Sequence, residues 1–109
     1  MILCLWATYD RIVMHDLTGF QRDVMYVISG MDSPKGLAIK EKLDEYYASE
    51  INHGRLYPNL DALVEAGLVE KGRIDDRTNA YSLTEDGRSL LGERREWEET
   101  ILQGKAVEA

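Results

Sequence analysis

Apolar residues recur along this chain with two different spacings. Phe20, Val24, Val27, Ile28 and Met31 fall three or four apart, the spacing of one helical face. Thr18 and Gln21 stand just before that run in Thr-x-x-Gln order, the signature of a capping box. Turn residues follow from Asp32 to Gly36, and Ile39, Leu43, Tyr46 and Tyr47 then predict a second helix over 36–48. A third stripe of Leu56, Leu60, Leu63 and Val64 predicts a helix from about Gly54, capped by Asn52 or Gly54 and ended by Gly67. Pro58 is compatible with it only in the first turn, where its missing N–H is not needed. Beyond Gly67 the spacing changes. Residues 68–74 and 79–83 read as paired strands around the turn Asp75-Asp76-Arg77-Thr78. Thr84 then caps a long helix over 85–103, with Glu85 and Asp86 suiting the positive end of its dipole.

Two helices joined by a short connection, with a hairpin beside them, make a winged helix-turn-helix. The expected class is mainly α with a small β-hairpin wing (α+β), completed by a C-terminal dimerisation helix. Four segments follow: an ordered N-terminal extension over 1–16, the winged-helix domain over 17–84, the dimerisation helix over 85–103, and a frayed tail over 104–109. With Leu56, Leu60 and Leu63 inward, the third helix turns Arg55, Pro58 and Ala62 outward, with Asn59 at the flank. Such a face is small and polar at its start, as a helix lying in a DNA groove requires. Arg55 is the expected base reader, because arginine pairs bidentately with guanine, and Asn59 is the second. Asn52, His53 and Pro58 complete that surface. Lys35, Lys40, Lys42, Arg73 and Arg77 are the expected phosphate contacts, whereas Tyr57, next to the inward stripe, is expected in the core. The last helix has more apolar surface than so small a domain covers. Leu90, Leu91, Trp97, Ile101 and Leu102, with Arg94 beside them and Trp6 from the extension, are therefore expected at a homodimer interface.

Charge complicates this reading. The 109 residues carry a formal net charge of −7, whereas proteins that bind nucleic acid usually present a basic surface. The acid excess is local: residues 84–109 hold seven acids against four cations, while residues 34–60 hold four of each sign. Ser33–Lys40, Ile51–Leu60 and Arg77–Thr84 contain no carboxylate in a chain with 20 of them, and these three stretches are expected to share one face. Eight arginines against five lysines, with acids outnumbering both, give a balance similar to that of proteins from salt-accumulating haloarchaea. Potassium ions at the DNA interface and salt-tolerant binding are expected on that basis. A winged-helix protein-protein interaction module that never touches DNA is the alternative that the charge permits.

Other chemistry is sparse. A single cysteine, Cys4, supports neither an intrachain disulfide nor a zinc site; it is either a small buried hydrophobe or an oxidisable thiol that bridges to its twin. No metal and no cofactor is expected. His15 and His53 have no visible nucleophile, and no Gly-rich phosphate loop is present, so an enzyme is not expected. No apolar run approaches the roughly 18 residues of a membrane span. The start lacks a basic region ahead of its apolar residues, so a cytoplasmic location is expected. Met14 offers an alternative start.

The run from Gly54-Arg55-Leu56-Tyr57-Pro58-Asn59-Leu60 to Glu65-Ala66-Gly67-Leu68-Val69, followed by Tyr81-Ser82-Leu83-Thr84-Glu85-Asp86-Gly87-Arg88, resembles the PadR-like winged-helix regulators over roughly residues 18–100. The resemblance implies a homodimeric transcription factor bound to double-stranded DNA at a palindromic operator. It is nearest to the haloarchaeal branch, whose members include a regulator of the response to reactive oxygen species. The wing departs from the family pattern: Asp75-Asp76-Arg77-Thr78-Asn79 stands where glycine-arginine-proline is usual. The C-terminal region is also one helix instead of a larger helical domain.

Overall fold

The computed structural model describes residues 14–108. Trp6, Cys4 and most of the expected N-terminal extension lie outside the described residues. A single 3-10 turn, Met14–Asp16, leads into helices α1 (Gly19–Ser29), α2 (Gly36–Tyr47) and α3 (His53–Glu65), strands β1 (Val69–Arg73) and β2 (Asn79–Leu83), and helix α4 (Glu85–Glu108). The strands pair antiparallel, Val69 opposite Leu83 and Arg73 opposite Asn79. Lys35 adds an isolated bridge to Ala80, and the Tyr81 amide donates to the Pro34 carbonyl at 2.9 Å. The hairpin is thus tied to the start of α2.

Local chemistry fixes each boundary. At α1 the capping box is complete: the Gln21 amide donates to Thr18 Oγ1 and the Thr18 amide to Gln21 Oε1, both at 3.1 Å. Asn52 caps α3 by accepting from the Gly54 amide at 2.6 Å. Gly67, at φ +79°, closes α3, with the Gly67 amide donating to the Val64 carbonyl and the Leu68 amide to the Leu63 carbonyl. One boundary differs from the sequence expectation. Helix α3 starts at His53, so Pro58 falls in the second turn and leaves the Gly54 carbonyl without its i+4 donor. Helix α4 runs on to Glu108, past Gly104, where a frayed tail is expected from sequence.

The core lies where the three short helices meet the hairpin. Val24, Met25 and Ile28 of α1, Ile39 and Leu43 of α2, Leu56, Leu60 and Leu63 of α3, and Val69, Tyr81 and Leu83 of the strands are all buried in one cluster. Each fully buried aliphatic side chain contributes about 1.5–3 kcal/mol relative to exposure. The turn between α2 and α3 is held by Asp44, whose Oδ1 accepts from the Ile51 amide at 2.6 Å and whose Oδ2 accepts from Lys40 Nζ at 2.9 Å. The Ile51 bond, with Lys40 second, holds the Asp44 carboxyl below its usual range. Ala48 adopts the left-handed conformation at φ 55° where glycine would be unstrained.

The Tyr-x-Leu-Thr-x-x-Gly stretch is explained by the junction between the wing and α4. Tyr81 and Leu83 enter the core. Thr84 Oγ1 donates to the Gly67 carbonyl at 2.7 Å and accepts from the Gly87 amide at 3.0 Å. Gly87 lies so close to the Leu68 carbonyl that any side chain there would collide with backbone.

Candidate nucleic-acid interface

Helix α3 buries Leu56, Leu60 and Leu63 and exposes Gly54, Arg55, Pro58, Asp61, Ala62 and Glu65. Pro58 and Ala62 leave the middle of that exposed surface small. Arg55 and Asn59 stand together on the flank that faces α1. Arg55 is exposed but does not project straight outward: its guanidinium lies 4.1 Å from the Phe20 ring centroid and 5.7 Å from that of Tyr47. Asn59 is half-buried; its Oδ1 accepts from Gln21 Nε2 at 3.0 Å, and its Nδ2 donates to the Arg55 carbonyl at 2.7 Å. Tyr47 is itself anchored, its hydroxyl donating to Asp23 at 2.6 Å. Burial, then that bond, push the Tyr47 phenol up to about 12. Gln21 is the residue that sequence reasoning missed: the capping box accounts for it fully, and its second bond is to a residue 38 positions away.

On the other flank of α3, half-buried Tyr57 packs against the start of α2. A Cβ at Gly36 would stand 2.5 Å from the Tyr57 hydroxyl, so any other residue there would displace the Tyr57 ring. The His53 ring lies 5.8 Å from the Tyr57 ring. A hollow of about 360 Å³ opens here, lined by Lys35, Gly36, Leu37, Tyr57, Arg77, Thr78, Asn79 and Tyr81. Every one of these residues belongs to the three stretches without carboxylates. Helix α2 begins at this rim with Lys35 as N-cap and no side-chain cap, which leaves its first amides and the positive end of its dipole there.

The expected phosphate contacts divide. Lys35 and Arg77 line the hollow. Arg73 is exposed on the wing, with Nη2 donating to the Asp76 carbonyl at 3.4 Å. In the wing loop, Asp75 Oδ1 accepts from the Arg77 and Thr78 amides, both at 2.9 Å. Those bonds, the Arg77 amide foremost, hold the Asp75 carboxyl below its usual range. An aspartate turn therefore closes the wing loop where the family pattern has glycine-arginine-proline. Lys40 departs from expectation. It is only 7% exposed, with Nζ 2.9 Å from Asp44 and 3.6 Å from Glu50, so it braces the turn and does not reach phosphate. Lys42 pairs with Glu45 at 3.9 Å and lines a cleft between α1 and α2 that no residue of α3 or the wing enters. Asn52 uses its Oδ1 as the α3 cap.

The expected dimer surface also divides. Leu91 is 5% exposed and belongs to the core of its own subunit, a correction to its place at an interface. Leu90 is half-buried against that core. Trp97, Ile101 and Leu102 remain 53%, 55% and 72% exposed. Arg94 stacks 4.7 Å from the Trp97 ring and donates to Glu98 at 3.1 Å. Met14, His15, Leu90, Glu93, Arg94 and Trp97 surround a cavity of about 570 Å³. Among the described residues, no group of three His, Cys, Asp or Glu is placed to hold a metal ion, and no helix is long and apolar enough to cross a membrane.

Residues 24–93 match the family model for the transcriptional regulator PadR-like family. Among solved structures, RosR from Halobacterium salinarum, grown from NaBr, is 45% identical with a TM-score of 0.66, covering 86% of this chain and 97% of that one. A complex structure of hsRosR-SG is also 45% identical, with a TM-score of 0.74 over 85% of this chain and 95% of that one. FabT from Streptococcus pneumoniae in complex with DNA shares the fold at 18% identity, with a TM-score of 0.69 over 86% of this chain and 62% of that one. No curated protein sequence matches the chain.

Proposed function

Because the chain belongs to the PadR-like family of transcriptional regulators, we propose that it works as a homodimer on a palindromic DNA operator, with α3 in the major groove and the wing along the backbone. Arg55 and Asn59 read bases from the flank of α3 that faces α1, and Pro58 and Ala62 allow close approach to the groove. Lys35, Arg77, Arg73 and His53 face phosphates. The exposed stripe of α4 joins the two subunits. The haloarchaeal branch that the chain resembles includes a regulator of the response to reactive oxygen species, which supports a role for this chain in that response; mapping bound sites with and without oxidant tests that assignment.

One observation carries the reading. In a chain of net charge −7, the hollow beside the start of α3 is lined without a single carboxylate, by two cations and by the uncapped start of α2. A phosphate fits that chemistry.

The same charge predicts how binding responds to salt. An ordinary binder loses affinity steeply as salt rises, because its cations release condensed counterions. A dimer of this chain carries −14, from two subunits of −7, and repels DNA when the Debye length is roughly 30 Å at 0.01 M salt. At molar potassium chloride that length falls to about 3 Å, while contacts at the bases remain. Potassium taken up beside interfacial carboxylates further offsets the usual release. Operator affinity is therefore expected to be flat or rising up to molar potassium chloride. Isothermal titration across a potassium series checks it. A steep fall would remove the halophilic part of the proposal, and no operator binding at any salt would favour the interaction-module alternative.

A further inference from the structure

A relay of four hydrogen bonds, one of them between the helices, runs from the start of α1 to the reading flank of α3. The Gln21 amide donates to Thr18 Oγ1, and the Thr18 amide donates back to Gln21 Oε1. With Oε1 committed to a donor, the Gln21 side chain can only turn its Nε2 towards α3, where it donates to Asn59 Oδ1 at 3.0 Å. Asn59 is then fixed in turn, its Nδ2 donating to the Arg55 carbonyl at 2.7 Å. Neither amide can flip without breaking two bonds, because each would then set donor against donor or acceptor against acceptor. Next to this relay, Phe20 supplies the ring on which the Arg55 guanidinium rests, 4.1 Å from its centroid. Consecutive residues of α1 therefore hold both base readers of α3.

We infer that Gln21 is a specificity-determining positioning residue, which sets the orientation of the Asn59 amide and through it the base that α3 selects. This rests on the proposed DNA-binding function. An amide nitrogen has two hydrogens and an amide oxygen two lone pairs, so the relay leaves Asn59 one donor and one acceptor. Adenine presents an adjacent acceptor and donor, N7 and N6, in the major groove. The operator position facing Asn59 is accordingly adenine. A side chain already held in its reading geometry loses less freedom on binding than a free one, so Gln21 favours the matched site without touching the base.

The test is a double-mutant cycle read as the ratio of operator to random-DNA affinity at fixed potassium chloride. Gln21→Met removes the donor at similar volume. It is expected to lower the ratio by roughly three- to tenfold, a part of what a bidentate base contact supplies, with random-DNA affinity unchanged. In an Asn59→Ala background the same substitution is expected to have no further effect on the ratio. Gln21→Glu keeps the acceptor for the Thr18 amide, so α1 stays capped, but presents an acceptor to Asn59 Oδ1. It should lower the ratio as Gln21→Met does, whatever its added charge does to both affinities. If both variants keep the wild-type ratio, or if Gln21→Met lowers it equally with and without Asn59, the inference is overturned while the proposed function stands. A wild-type protein with no operator preference would remove both.

Discussion

Helices α3 and α4 each carry an apolar stripe, yet the two end differently. Leu56, Leu60 and Leu63 of α3 are sealed inside their own subunit, whereas Trp97, Ile101 and Leu102 of α4 stay more than half exposed. Their polar faces differ as well. The start of α3 borders a surface free of carboxylates, while α4 presents Glu93, Glu96 and Glu99 to solvent. One helix is completed by its own chain and leaves a small, carboxylate-free edge for something else to touch. The other is left exposed, and in the proposed dimer a second copy of the chain covers it. In the proposed dimer, folding and assembly thus reside in different helices of one short polypeptide.

Substitutions that separate the two helices test this contrast, and the largest effect belongs to α4. Trp97→Asp is expected to leave the winged-helix domain folded and to abolish dimerisation, with operator affinity reduced by orders of magnitude because one half-site is lost. Light scattering with circular dichroism distinguishes the outcomes; a folded dimer would place the interface elsewhere. Leu60→Ala acts on the domain itself and should cost about 2–5 kcal/mol in denaturant unfolding. Arg55→Ala should leave stability nearly unchanged and reduce operator discrimination by about 1–3 kcal/mol. Lys35→Ala, by contrast, should weaken operator and random DNA alike. The smallest effect lies in the turn between α2 and α3. Ala48→Gly relieves the left-handed φ of 55° and should raise stability by about 0.5–1 kcal/mol. Unchanged or lower thermal stability would mean that the turn is not strained there.

Much of this was legible from spacing alone. The Thr-x-x-Gln box, the three helices and the Asp75–Thr78 turn depend on residues within a few positions of one another and lie where periodicity places them, although Tyr46 of the second stripe is exposed and Met25, outside the first, is buried. The carboxylate-free stretches predicted a shared face, and Lys35, Tyr57 and Arg77 do meet around one hollow. What spacing could not reveal were the side chains whose partners come from another element. Lys40 looks like a free cation until Asp44 and Glu50 close on it. Leu91 lies next to Leu90 in sequence, but the 100° between neighbours on a helix turns it into the core. Arg55 points outward on a helical wheel, yet Phe20 draws it sideways. Pro58 falls in the second turn and not the first because Asn52, the earlier of the two candidate caps, starts the helix at His53.

The close approach of Gly87 to the Leu68 carbonyl, together with the Thr84 bonds on either side of it, leaves no slack between the wing and α4. Without a hinge there, the angle of α4 fixes where each reading helix stands relative to the two-fold axis of the proposed dimer. In the proposed complex the molecule then acts as a ruler. Two reading helices held about 34 Å apart span one turn of DNA, and an operator lengthened by a single base pair turns one half-site about a tenth of a revolution out of phase. A flexible joint would absorb that error, but this junction passes it on as lost affinity, so spacer length becomes as much a part of the recognised sequence as the bases themselves.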